Sequence, residues 1–286
     1  EQTTNTFSLQ GAQGAVQSVI DEDSFLPSLG VNWFISDDHQ LRLALSQTVA
    51  RPDFKEAANA TFYDNEFNFR VRGNPFLEIS DIINADLRWE WYLSEVDSLS
   101  VALFYKDMDK PIERVVQAAS GTAGNSRTFQ NSESAELYGL EVDGRFEFAL
   151  GEGYDRTVFV SFNAAFIESE VTAQNQEDRA LQGQPEYTAN LILGYDDIGA
   201  GHQLTVLLNQ NGKSIADVGV SGQPDVFLEP RLDLNVVYRF NISDALTLKA
   251  KLENLLDDEV EYTQGGQIFQ VYNRGPSIQI GLDWQF

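Results

Sequence analysis

The chain has two histidines, His39 and His202, and no cysteine. Each histidine opens the same tripeptide, His-Gln-Leu, directly after a short polar turn. A zinc site gathers three or four nitrogen, sulfur or carboxylate ligands, which these two distant residues do not supply. Their matched placement marks them as interfacial polar residues at one rim of a β structure. Two acidic clusters, Asp21–Glu22–Asp23 and Asp257–Asp258–Glu259, invite a calcium reading. Calcium needs six to eight oxygens wrapped by a loop with a glycine turn, and neither cluster has that spacing. No Gly-x-Ser-x-Gly elbow accompanies either histidine, so a serine hydrolase is not expected. No phosphate loop or dinucleotide fingerprint is present. The sequence therefore implies no cofactor, no metal and no enzyme.

The remaining charged residues fall on strands. Apolar and polar residues alternate with period two through most of the chain, which places them on opposite faces of a pleated strand. In the last segment Ile278, Ile280, Leu282, Trp284 and Phe286 share one face, and Gln279, Asp283 and Gln285 the other. Leu232, Leu234, Val236, Tyr238 and Phe240 alternate with Arg231, Asp233, Asn235 and Arg239. Leu246–Leu252 alternates with Lys249, Lys251 and Glu253, and Leu140–Phe148 with Glu141, Asp143, Arg145 and Glu147. About eleven such segments occur, near 28–35, 39–49, 84–93, 98–109, 137–149, 155–167, 186–195, 202–211, 230–240, 245–254 and 275–286.

Short and long links alternate strictly. Turns at Ser36–Asp38, Ser94–Asp97, Gly151–Tyr154, Asp196–Gly201 and Asn241–Asp244 separate long polar links at 50–83, 110–136, 168–185, 212–229 and 255–274. Outer-membrane barrels trim one rim and elaborate the other in this way, whereas a soluble β-sandwich has no reason to. No run of about 18 apolar residues exists, so a membrane-crossing helix is excluded while a barrel is not. A formal net charge of −25, with 19 Lys plus Arg against 44 Asp plus Glu, opposes binding to nucleic acid. Aromatics reach 12%, which suits strands and interfacial belts. On a barrel, Glu141, Asp143, Arg145, Arg231, Asp233, Arg239, Lys249, Lys251, Glu253 and Asp283 face the lumen. There they pair across strands or meet an inner ligand.

Several stretches resemble TonB-dependent receptors, the plugged active transporters of the outer membrane. They include FLPSLGVNWFISDDHQLRLALSQTVARPDF (Phe25–Phe54), RGNPFLE (Arg72–Glu78), NADLRWEWYL (Asn84–Leu93) and LSVALFYKDMDKPIE (Leu99–Glu113). AELYGLEVDGRFEF (Ala135–Phe148), GKSIADVGVSGQPDVFLEPRLDLNVVY (Gly212–Tyr238), LKAKLENLLDDE (Leu248–Glu259) and the terminal RGPSIQIGLDWQF continue the resemblance. It implies an all-β, antiparallel up-and-down transmembrane barrel of the 22-strand type. About eleven C-terminal strands are then in hand, as an open curved sheet with edges at 28–35 and 275–286. Residues 1–27 are expected to be a loop with the end of a preceding strand, and 28–286 the C-terminal half of the barrel. The plug and the segment that meets the TonB energy coupler would precede them. The chain starts at Glu1 without a signal peptide, so a fragment or processed form is expected.

The resemblance also implies function. Extracellular loops and plug capture a scarce solute, an oligosaccharide or a metal chelate such as a siderophore or haem, and TonB relays the energy for its entry. The motif set is slightly closer to members linked with carbohydrate uptake. A sugar would call for loop aromatics, and Phe62, Tyr63, Phe67, Phe69, Phe129, Tyr262 and Phe269 are candidates, unless they pack the loops together. The terminal strand, through Ile278, Ile280, Leu282, Trp284 and Phe286, is the signal read by the barrel assembly machinery. Outer-membrane lipid is the remaining partner. The rival readings are a passive porin or structural barrel, and a soluble β-sandwich adhesin.

Overall fold

The computed structural model describes residues 5–7, 18–20, 23–65, 69–118, 125–151, 155–173 and 178–285. Two short strands, β1 (Asn5–Phe7) and β2 (Ser18–Ile20), pair with each other. A long hairpin, β3 (Ser28–Phe34) and β4 (His39–Ala50), precedes the one-turn helix α1 (Phe54–Ala57) and short strands β5 (Thr61–Asp64) and β6 (Phe69–Arg72). The hairpin β7 (Ser80–Tyr92)–β8 (Ser98–Asp109) leads into short β9 (Ile112–Ala118) and β10 (Asn125–Asn131). Next come β11 (Ser134–Ala149), β12 (Arg156–Thr172), β13 (Tyr187–Asp197) and β14 (His202–Asn211). Short β15 (Ser214–Gly219) and β16 (Val226–Leu228) separate them from the hairpin β17 (Arg231–Ser243)–β18 (Leu246–Glu253). The chain ends with short β19 (Val260–Gln264) and β20 (Gln267–Tyr272), then β21 (Ser277–Trp284).

The eleven long strands form one sheet in chain order, every neighbour antiparallel, with β3 and β21 at its open edges. These are the eleven segments and the two edges expected from the alternation. Register keeps apolar with apolar. Val31, Leu43, Leu87, Leu103, Leu140 and Phe166 lie side by side across six strands. At the far edge Leu252, Ala250, Leu248 and Leu246 oppose Ile278, Ile280, Leu282 and Trp284.

This apolar face is bare. Leu103 is 54% exposed, Phe166 59% and Ile280 69%, so among the described residues no second layer covers it as it would in a sandwich. On β11 it runs from Phe148 to Tyr138 through Phe146, Gly144, Val142 and Leu140 without a charge. Ten residues at ~3.4 Å each, tilted about 35–45°, give a band roughly 24–28 Å tall, the height of a barrel's lipid-facing belt. Among the described residues no helix is long and apolar enough to cross a membrane.

Several strands run past the expected limits. β7 begins at Ser80 rather than 84, β11 at Ser134 rather than 137, and β12 continues to Thr172 rather than 167. The added residues include Glu136, Glu168 and Glu170, which pair in register above the apolar band. Outside lipid, ladder hydrogen bonds hold a strand without period-two hydrophobicity, so the pattern understates its length.

The buried hydrophobic residues lie elsewhere. Val71, Val115, Val116, Ile215, Val218, Val226 and Val260 belong to the long links. Met108, Ala135, Leu137 and Val171 lie at the strand ends that feed them.

Candidate ligand face

The long links were expected as loops, but they carry a second sheet. Its eight strands run in the order β20-β19-β16-β15-β9-β10-β6-β5. Hairpins β5–β6, β9–β10 and β19–β20, and the bulged pair β15–β16, each come from one link. Neighbouring links then zip together. Arg127 of β10 pairs parallel with Val71 of β6, and Val218 of β15 with Val115 of β9. Links that share a sheet share a rim, which gathers the elaborated connections at one end of the wall.

Buried ion pairs lock this sheet. The Arg127 and Asp217 side chains are wholly buried and paired with each other. Arg114 Nε also pairs with Asp217, and Arg127 reaches Asp64 at 3.2 Å. Burial pushes the Arg127 guanidinium below its ordinary pKa, and Asp217 opposes that shift. A second pair joins Glu113 to Arg179 at 2.8 and 2.6 Å, with the Ser132 hydroxyl donating to the same carboxylate. Gln182 adds hydrogen bonds from its side-chain amide to the carbonyls of Arg114 and Ala216, at 2.8 and 2.7 Å. These contacts tie together the links around Asp64, Arg114, Arg179 and Asp217.

The first link is braced by the two motifs that flank it. Asp53 caps α1, and its own N–H donates to Glu56 Oε2 at 2.8 Å. Gly73 packs against the carbonyls of Lys55 and Ala58, leaving no room for a Cβ. The Asn74 amide donates to the Phe129 carbonyl at 2.9 Å, tying this turn to β10.

Beside the loop sheet opens a cleft of about 940 Å³. Asp225, Glu229, Asp257, Asp258, Glu259 and Glu261 line it, with Lys213 the one cation of its lining. Lys213 is itself engaged, 2.9 Å from Glu229 and over the Phe227 ring. Burial raises the Glu229 pKa, but hydrogen bonds from Lys213 and Thr263 outweigh it and leave the carboxyl below its ordinary value. The Asp257–Glu259 cluster thus joins an acid-lined opening.

The polar face of the large sheet carries the expected charges. Arg88 binds Asp143 at 2.7 Å, and Glu90 receives Arg42 at 3.0 Å. Lys249 pairs with Asp283, Lys251 with Glu253 at 2.7 Å, and Arg231 with Asp233 at 3.7 Å. Arg145 lies 3.3 Å from Glu147 and over the Phe159 ring. Glu141 shares this face beside Ala102 and Ala165, and Arg239 beside Lys249 and Gln203. One row crosses seven strands as Glu90, Ser100, Asp143, Asn163, Asn190, Asn209 and Asp233.

The aromatic loop candidates divide. Tyr262 and Phe269 pack against buried Val116 and Val226. Phe62 and Phe129 are half-buried, and Tyr63 is 54% exposed. Phe67, the Phe69 side chain and the terminal Phe286 lie outside the described residues, as does the Asp21–Glu22 pair. Ile278, Ile280, Leu282 and Trp284 form the bare face of the edge strand. Sequence reasoning missed Glu113, Arg114, Arg127, Arg179 and Asp217. Isolated charges in polar links carry no mark of burial, and their partners lie in other links.

A family model described as TonB dependent receptor-like, beta-barrel matches residues 1–255. An iron-regulated outer membrane virulence protein of Vibrio cholerae serotype O1 is 27% identical over 226 residues, 76% of this chain and 32% of that protein. The ferric enterobactin receptor of Pseudomonas aeruginosa superposes with a TM-score of 0.61 at 17% identity, over 96% of this chain and 40% of its own. The siderophore receptor PirA of Acinetobacter baumannii gives 0.62 at 17%, over 96% and 41%. A copper transporter, OprC, gives 0.67 at 14%, over 98% and 43%. The chain thus spans about a third of its curated relatives and two fifths of these solved chains.

Proposed function

The chain belongs to the TonB-dependent receptors of the Gram-negative outer membrane, and we propose that it supplies the wall and outer loops of an active importer for a neutral or cationic metal chelate. The metal is cargo here, not a resident cofactor. The acid-lined cleft carries the reading. Six carboxylates face one engaged lysine there, so an anionic ligand meets repulsion and a cationic one is drawn in. The iron-regulated relative and the siderophore and copper neighbours support a metal-bearing cargo. An oligosaccharide is the second reading. It would need exposed aromatic platforms, and two of the candidates, Tyr262 and Phe269, are instead used in packing. No covalent chemistry on the solute is required.

In this reading the charged polar face lines the lumen, where ion pairs hold most of its charges and leave a hydrated wall around a plug. TonB meets a preceding part of the protein, and the edges β3 and β21 pair with strands of that part. The test is uptake by whole cells expressing the full-length receptor, with radiolabelled iron presented on cationic, neutral and anionic chelators. Uptake of the first two that collapses in a tonB deletion supports the proposal. Uptake independent of TonB would make the protein a passive porin, and preference for the anionic chelate would refute the charge argument.

A further inference from the structure

Two histidines lie on the lipid-facing side of the wall, at a short-turn rim where Arg156 shares the row of His202. His39 and His202 each start a strand after a short turn, in register with the apolar row of the neighbouring strands. His39 stacks on Trp89 and Trp91, with ring centroids 5.6 Å from each. His202 stacks on Phe240 at 4.4 Å and on Tyr238 at 6.0 Å. Each also has a carboxylate neighbour. Asp38 lies 3.9 Å from His39 Nε2, and Asp197, which accepts from the Ala200 N–H and the Tyr195 hydroxyl, is the cross-strand register neighbour of His202 in the β13–β14 hairpin.

The ring nitrogens differ in their inner contacts. His39 Nδ1 is buried without a hydrogen-bond partner among the described residues, while Nε2 is on the side of Asp38. His202 Nδ1 meets the Tyr238 hydroxyl at 2.7 Å. With the proton on Nε2, His39 presents an N–H donor on the Asp38 side, and His202 Nδ1 accepts from the Tyr238 hydroxyl and leaves its Nε2–H free of that bond. Short turns mark the periplasmic side of such barrels, where aromatic rings sit at headgroup level.

We infer that Asp38–His39–Trp89–Trp91 and Asp197–His202–Tyr238–Phe240 are two headgroup sites for a zwitterionic phospholipid of the inner leaflet, one carrying phosphate and a primary ammonium. The imidazole Nε2–H donates to a phosphate oxygen, the carboxylate accepts from the ammonium, and the aromatic pair lies along the glycerol and first methylenes. An acid and a base side by side match a headgroup of both signs. A purely anionic headgroup would leave the carboxylate facing negative charge. The assignment is independent of the cargo.

The test uses the full-length receptor in detergent, offered phosphatidylethanolamine and phosphatidylglycerol of equal chain length, with bound lipid counted by native mass spectrometry. The parent should retain phosphatidylethanolamine over phosphatidylglycerol by about twofold to tenfold per site, the effect of one hydrogen bond. His39→Leu with His202→Leu should lose that retention. Asp38→Asn with Asp197→Asn, which keeps the stacked rings, should bind both lipids equally. Equal retention of the two lipids by the parent, or unchanged preference in both double variants, overturns the inference. So does displacement by millimolar inorganic phosphate, which would make these free-anion sites.

Discussion

Replacing Asp217 by Ala should melt the loop sheet while leaving the wall intact. Asp217 has no solvent-exposed side-chain area and bridges two guanidiniums, Arg114 and Arg127. Arg127 is equally buried, and it also reaches Asp64, which is 28% exposed, at 3.2 Å. Breaking a buried ion pair from one side costs about 3–5 kcal/mol, because the surviving charge stays desolvated. At about 1.4 kcal/mol per factor of ten, local opening should become roughly a hundredfold to a few thousandfold more frequent. The assay is hydrogen exchange of the full-length receptor in detergent, followed on amides of β9, β10 and β15. Those amides should lose protection together, and amides of β11–β13 should not change. Asp257→Ala, a cleft-lining acid 30 residues or more from this network in sequence, is the control. Unchanged protection of β9 and β15 in Asp217→Ala would show that the buried pairs do not hold the loops.

Three further outcomes follow from the same geometry. Val142→Arg lies mid-band on the lipid face and should cost about 2–4 kcal/mol of folding in bilayers; Glu141→Arg, one residue along on the polar face, should cost far less by the same refolding titration. Gly73→Ala forces a Cβ onto the Lys55 and Ala58 carbonyls, so protease should cut the 50–83 link faster in the variant than in the parent. The Glu229 carboxyl is held below its ordinary value, so its contribution to loop stability is full above the unfolded carboxyl's pKa and is lost as pH falls through the lower folded value. Exchange of β16 and β19 amides, measured across that acidic window, should show a pH dependence that Lys213→Met reduces.

Much of the wall was readable because lipid enforces the pattern. Where a strand crosses hydrocarbon, every second residue must be apolar, and so β17, β18 and β21 stand out in the sequence as they stand in the sheet. The rule stops at the headgroups. Glu168 and Glu170 continue β12 with no alternation to announce them. The links were misjudged as plain loops for the same reason. Their strands are three to seven residues long, and their apolar residues become a core only when Val115, Val116, Val218 and Val226 meet from different links. The histidines were placed correctly at a rim from their position after the turns. Their aromatic stacks were invisible, because Trp89 and Tyr238 come from neighbouring strands.

The division between the two sheets has a consequence for specificity. The wall buries little within itself, since its apolar side is bare and its polar side carries ion pairs. The loop sheet buries its own valines and its own charges, so its stability does not depend on where the wall sits in the bilayer. A change on the cleft rim, at Asp257 or Glu261, therefore alters the charge met by a ligand without touching the contacts that fold either sheet. A change at Glu113, Arg127 or Asp217 does the reverse: it loosens four links at once and leaves the cleft's charge in place. On the proposed reading Asp257 and Glu261 meet the ligand's charge, Asp217 and Glu113 hold the loops, and Glu229, a cleft acid tied to Lys213 and Thr263, belongs to both sets. The acid surplus of the cleft can serve as a filter because the acids that hold the structure, Asp217 and Glu113, are already neutralised within it.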